Sequence, residues 1–218
     1  MLRCSGERTI VLIIWGFRGI VQNIGGGTFH CPAEGADREY FHQKARRWFT
    51  LFFIPLFPTS TLGEYVECAS CSNTYYPSVL EAPTVADMGI ALGRAIRAVA
   101  AAVATIDEPL TTGQEDAAID YVRETVDEAY GASRFHDDCR DLAPNAIEHT
   151  SAMEGVLNDL GKEQMVKAAL YIAAVDGDIS EAEMQFAVAV SASLGMAPNH
   201  LRGVIQSLAD SASGRHES

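Results

Sequence analysis

Two short stretches of the chain carry sulfur at metal-ligand spacing. "ECASC" sets Cys68 and Cys71 at C-x-x-C, the interval at which a tight turn aims two sulfurs at one ion, and "HCPAEG" repeats the pattern with Cys31 followed three residues on by Glu34. Zinc takes four tetrahedral ligands from Cys, His and carboxylate, so the chemistry implied is a site of three thiolates and one carboxylate: Cys31, Glu34, Cys68 and Cys71. His30, His42 or a water could supply the fourth ligand instead of Glu34. The opposing reading is a decayed site, with Cys31 retained as a small buried hydrophobe. A third stretch, "VDGDISEAE", is rich in hard oxygen. Asp176 and Asp178 fall at a predicted helix end, where unsatisfied carbonyls already form a negative pole, and with Glu183 they suit weak binding of calcium or another divalent cation. Glu183 is equally explained without an ion, as the third residue of an S-x-x-E capping box begun by Ser180.

These residues must be held by two differently built halves. Up to about Pro77 the chain alternates short β-prone pieces ("TFHC", "REYFHQ", "RRWFTLFFIPLF", "GEYVEC", "NTYYP") with Gly, Pro, Asn and Ser, which predicts a small antiparallel sheet. A first strand is expected over residues 8–17, and "GIVQNIGGG" is expected to end it in a loop. A sheet this small needs a staple, and a metal is one. Beyond Pro83 the texture becomes alanine-rich with helical periodicity, predicting helices at about 84–105, 112–129, 145–160, 163–175, 181–194 and 198–210, with a short one near 134–140. Gly161, Gly177 and Gly195 are expected at helix ends and Pro198 in a first turn. Met165, Ala168, Ala169, Ile172 and Ala173 form the stripe of a core-facing helix.

The helical half repeats itself. "AAAVATIDEPLTTGQEDAAIDYV" and "ALYIAAVDGDISEAEMQFAVAV" both run apolar helix, Asp, loop, capping box, apolar helix, with Asp107 matching Asp176, Thr111 matching Ser180 and Gln114 matching Glu183. Each match sits at one constant offset, as duplication of a helix-loop-helix unit would produce.

Charge divides the chain at the same place. The net charge is -13, yet residues 1–83 are neutral and the whole deficit lies in residues 84–218. An acidic half disfavours a polyanion, so nucleic acid is an unlikely partner for the chain as a whole; the basic and aromatic mix of Arg38, Lys44, Arg46, Arg47, Tyr40, Phe41, Trp48 and Phe49 is the one feature that would suit it. Five cysteines are too few for a disulfide scaffold. The apolar "IVLIIWGF" is short, is closed by Arg18 and lacks a cleavage site, while "WFTLFFIPLFP" is too short and too rich in proline to span a bilayer. The expected location is the cytoplasm, with no membrane span. Neither a P-loop, an HExxH, a nucleophile elbow nor a dinucleotide fingerprint occurs, and the H-x-E with P-C-x-x-C of zinc deaminases is absent, so no catalysis is expected.

"RRWFTLFFIPLFP" followed by "GEYVECASCSNTY" resembles the small zinc-ribbon domain that precedes a TerB-like helical domain in actinobacterial proteins. "YIAAVDGDISEAEMQFAVAVSASLGM" resembles the signature of the TerB tellurite-resistance family itself. The resemblance implies an α+β protein, with a zinc-ribbon-like β domain at 1–82 and an all-α TerB-like domain at 83–218. It also implies a metal-binding interaction module in a metal or chemical stress response, working through a protein partner, with no small-molecule substrate identified. The alternatives are a zinc-ribbon adaptor for nucleic acid or protein, and a zinc-dependent hydrolase. Two departures stand out: Glu34 replaces a ribbon cysteine, and the first repeat has Pro109 and Gln114 where the second has acids.

Overall fold

The computed structural model describes residues 14–107 and 109–213. It is an α+β protein that divides into two compact units, Met1–Ala86 and Asp87–Ser218. The first is a four-stranded antiparallel meander of β1 (Trp15–Cys31), β2 (Ala36–Leu51), β3 (Ile54–Cys68) and β4 (Thr74–Tyr75), paired in chain order. Residues 8–13 of the expected first strand lie outside the described residues.

The strands are longer than the alternating pieces suggested, because the glycines do not break them. "GGG" was expected in a loop, yet Gly25, Gly26 and Gly27 pair with His42, Phe41 and Tyr40 inside β1, and the register slips once between Asn23 and Gly25. Small residues are needed there for close approach. A Cβ on Gly26 would stand 2.9 Å from the Tyr40 carbonyl oxygen, and one on Gly27 would press on the Tyr40 ring at 3.2 Å. Among the described residues the buried core of this unit is correspondingly slight: a cluster of Phe29, Cys31 and Cys68, flanked by Tyr40, Cys71, Tyr75, Val79 and Leu80, with Phe29 edge-on to Tyr40 at 5.6 Å, and Val66 buried beside it in β3.

The second unit is helical, with α1 (Val85–Ala104), α2 (Thr112–Thr125), α3 (Ala132–Asp141), α4 (Ala146–Ser151), α5 (Asp159–Ala173), α6 (Glu181–Ser193) and α7 (Pro198–Ser213). Its core joins Val99 and Val103 of α1, Ile119 and Val122 of α2, and Met165, Ala169 and Ile172 of α5 to Val190 and Leu194. The whole predicted stripe of α5 is buried. Gly195 takes φ 67 and Gly177 φ 137, so both ends need glycine. Gly161 is a correction. It does not stop a helix but lies in the first turn of α5, where its amide donates to the cap Asn158 Oδ1 at 2.9 Å, and the helix expected over 145–160 is only the six-residue α4. Asn158 outcompetes the glycine because a cap satisfies an end amide that nothing else reaches.

The two capping boxes differ. In the second, Ser180 Oγ accepts from the Glu183 amide at 3.2 Å and Glu183 Oε2 accepts from the Ser180 amide at 2.9 Å. In the first, Thr111 Oγ1 accepts from the Gln114 amide at 3.2 Å, but Gln114 sends its side-chain amide elsewhere, to Glu183 Oε1.

Candidate metal centre

The chain reverses after Cys31 and again after Cys68 in the same way. The Gly35 amide donates to the Cys31 carbonyl at 2.8 Å and the Ser72 amide to the Cys68 carbonyl at 3.0 Å; Gly35 (φ 61) and Ser72 (φ 59) both close their turns in the left-handed region. These are two copies of one knuckle. Antiparallel pairing of β1, β2 and β3 brings both to the same end of the sheet, since Cys31 closes β1 onto Ala36 and Tyr40 pairs with Cys68.

The sulfurs of Cys31, Cys68 and Cys71 converge, all within 4.8 Å of one another, and this is the one group of its kind among the described residues. Cys31 Sγ and Cys71 Sγ are 3.7 Å apart. Two sulfurs bound tetrahedrally at about 2.3 Å from zinc would be separated by about 3.8 Å, so the spacing fits the ion. Electrostatics favour a thiolate at Cys31. Burial pushes its pKa up, but the Tyr75 hydroxyl at 3.4 Å, the Glu34 and Ala33 amides and the Cys71 thiol together bring it down to about 7. Cys71 moves the other way: the Asn73 amide favours its thiolate, yet burial and its hydrogen bonds with Cys68 and Cys31 raise it. The hydrogen bond to Cys31 likewise raises Tyr75, with burial adding to it.

Glu34 occupies the position equivalent to Cys71, but its carboxylate does not join the sulfurs. Oε1 accepts from Ser70 Oγ at 2.8 Å and Oε2 pairs with Arg38 Nε, and these bonds, that from Ser70 first, lower its pKa despite some burial. It ties one knuckle to the other instead of reaching the cluster. The histidines are also engaged elsewhere, His30 Nδ1 at 3.4 Å from Asp37 Oδ1 and His42 Nε2 at 3.3 Å from Glu64 Oε2. Tyr75 and Ser70 were not legible as site residues. Only their closeness to Cys71 in the sequence hinted at them.

Asp176, Asp178 and Glu183 are not brought together. The two aspartates are exposed in the loop before α6, whereas Glu183 is buried with both carboxylate oxygens occupied by Ser180 and Gln114. A buried, doubly bonded carboxylate does not turn outward to a loop ion without abandoning both partners.

The molecule is thus a small antiparallel sheet bearing a three-thiol centre, joined in one chain to an acidic helical unit built on a repeated capped helix-loop-helix. The sequence model of the family described as tellurite resistance protein TerB matches residues 94–204, and the chain belongs to that family. The match lies within the helical unit, leaving the sheet and its thiols outside it. Neither the curated proteins nor the solved structures give a match. No helix among the described residues is long and apolar enough to cross a membrane.

Proposed function

We propose that the chain is a zinc-holding, non-enzymatic interaction module of the tellurite-resistance type, in which the sheet unit is a zinc ribbon that has lost one cysteine and the helical unit is the element that meets a protein partner in a cytoplasmic metal or chemical stress response. The observation that carries the reading is the convergence of Cys31, Cys68 and Cys71 at a separation matching tetrahedral zinc, in paired knuckles that supply amide hydrogen bonds to sulfur. With few other side chains buried among its described residues, the unit gains from the ion as a staple. Water takes the fourth position, because Glu34 is committed to Arg38 and Ser70. An acidic loop site for calcium or another divalent cation, if formed, would draw on Asp176 and Asp178 alone. Family membership supports the stress link.

Native mass spectrometry of the purified chain tests the centre. One zinc per chain, removed by a chelator and absent in Cys68→Ser, is the expected result; a metal-free chain whose three thiols alkylate freely in the folded state would overturn it.

A further inference from the structure

The metal centre occupies one end of the sheet, and at the other end the described residues are apolar and exposed. There β2 turns into β3 through Leu51-Phe52-Phe53-Ile54, with Trp15 of β1 alongside, opposite Leu51. Trp15 is 65% exposed, Phe53 76% and Ile54 62%. Phe17, Phe49 and Phe57 lie in a row across the three strands just behind, Phe17 to Phe49 at 6.0 Å and Phe49 to Phe57 at 5.3 Å. A soluble hairpin hides such residues or replaces them.

The turn itself is unusual in the same direction. Phe52 (φ 47) and Phe53 (φ 67) both sit in the left-handed region, as a two-residue hairpin turn requires, where Asn-Gly is the favoured pair. Two phenylalanines are held at a conformational cost and pointed into solvent.

Charge decides what covers this end. Residues 14–24 and 43–62 contain Arg18, Lys44, Arg46 and Arg47 and no acidic residue at all. Arg47 stacks on the Phe17 ring at 4.1 Å, and Arg18 lies on the opposite face with Trp48, its partner across the strands. A second copy docked tip to tip would set cations against cations. Nucleic acid would meet bare rings before it met an arginine, since Arg18, the nearest, pairs with Trp48 three residues, or about 10 Å, behind Leu51. An anionic lipid surface fits both features, because apolar and aromatic tips enter the acyl boundary while arginines remain among headgroup phosphates.

We propose that the Leu51–Ile54 hairpin end of the sheet, with Trp15, is a peripheral docking site for anionic phospholipid surfaces, inserting Phe52 and Phe53 and holding headgroups with Arg18, Arg46 and Arg47. This goes beyond the zinc and partner reading and needs no spanning segment.

Flotation of the full chain with vesicles tests it. The chain is expected to float with phosphatidylcholine–phosphatidylglycerol vesicles at low salt, more weakly at high salt, and more weakly still with phosphatidylcholine alone. Its two tryptophans, Trp15 and Trp48, both lie in this half of the sheet, so their emission should shift to the blue and be quenched by brominated acyl chains. Phe52→Asn/Phe53→Gly keeps the turn, with residues better suited to it, and should weaken binding about tenfold or more. Absence of flotation and of any tryptophan shift in the wild-type chain overturns the proposal. So does a concentration-dependent dimer that the double variant abolishes, or single-stranded DNA binding by a chain that ignores vesicles.

Discussion

Gln114 and Glu183 stand 69 residues apart and share one buried hydrogen bond, Nε2 to Oε1 at 3.1 Å. They hold the same position in the two copies of the repeat, so the duplicated unit is closed by its own matching residues. The neutral amide in one copy and the carboxylate in the other make the pair complementary, where two carboxylates at this separation would repel.

Glu183→Ala should therefore cost about 1–3 kcal/mol of helical-unit stability, since it removes half a capping box and leaves the Gln114 amide unsatisfied. A double-mutant cycle with Gln114→Ala, followed by urea unfolding, should give a coupling energy of about 0.5 kcal/mol or more. Strict additivity would show that the bond contributes nothing.

Removing the phenol of Tyr130 should destabilise the same unit. Its hydroxyl donates to Asp138 Oδ2 at 2.7 Å, with Arg97 Nε 3.3 Å from that oxygen, and both Tyr130 and Asp138 are buried. Tyr130→Phe is expected to lose about 1–3 kcal/mol, and Asp138→Asn should cost at least as much, because it also takes the charged partner from Arg97. A thermal melt of Tyr130→Phe that overlays the wild type would contradict this.

Asp37 makes the start of α1 sensitive to acid. The Val85 amide donates to its carboxylate at 3.0 Å and the Ala86 amide at 3.3 Å, and the Val85 bond, aided by Ala86 and His30 against the opposing effect of burial, lowers its pKa. A lowered carboxyl contributes stability that is complete above the unfolded pKa and disappears as pH falls through the folded one. Tryptophan-monitored stability of the wild type should thus drop faster than that of Asp37→Asn below about pH 4. Parallel curves would show that the cap is not used.

Glu34→Cys should convert the three-thiol centre to four. The backbone turn at Glu34 already matches that at Cys71, so a thiol there is placed to reach the cluster, and zinc loss to a competing chelator should slow. Glu34→Gln should leave zinc content unchanged but loosen the knuckles by weakening the Arg38 pair. Zinc lost in Glu34→Gln would make Glu34 a ligand after all.

Residues 84–218 should melt cooperatively as an isolated fragment, because their core is drawn from α1 to α7 alone. The compact units part at Ala86, slightly beyond the composition shift at Pro83, since Asp37 holds the first two residues of α1. The fragment forgoes that cap, so circular dichroism should show the first turn frayed and the rest intact. A gradual, non-cooperative melt would refute independence.

What the sequence by itself determined was local. The capping box of Ser180 and Glu183, the knuckle turns around Cys31 and Cys68, left-handed glycines at 177 and 195 and the apolar stripe of α5 depend on hydrogen bonds or spacings within a few residues, and each was legible in advance; the reciprocal half of the box expected at Thr111 was not formed, because Gln114 bonds Glu183 instead. Tertiary structure decided everything that required two distant segments to compete for one group. Glu34 was free in the sequence to be a ligand, and Arg38 with Ser70 took its oxygens; Glu183 was free to face a cation, and Gln114 drew it into the core. The glycines at 25–27 became strand because the Tyr40 backbone and ring needed the room their missing side chains leave. A polar side chain has several acceptable partners within reach of its own segment, and only the folded chain decides which of them arrives first, because each bond made inside the core removes the group from water and from every other use.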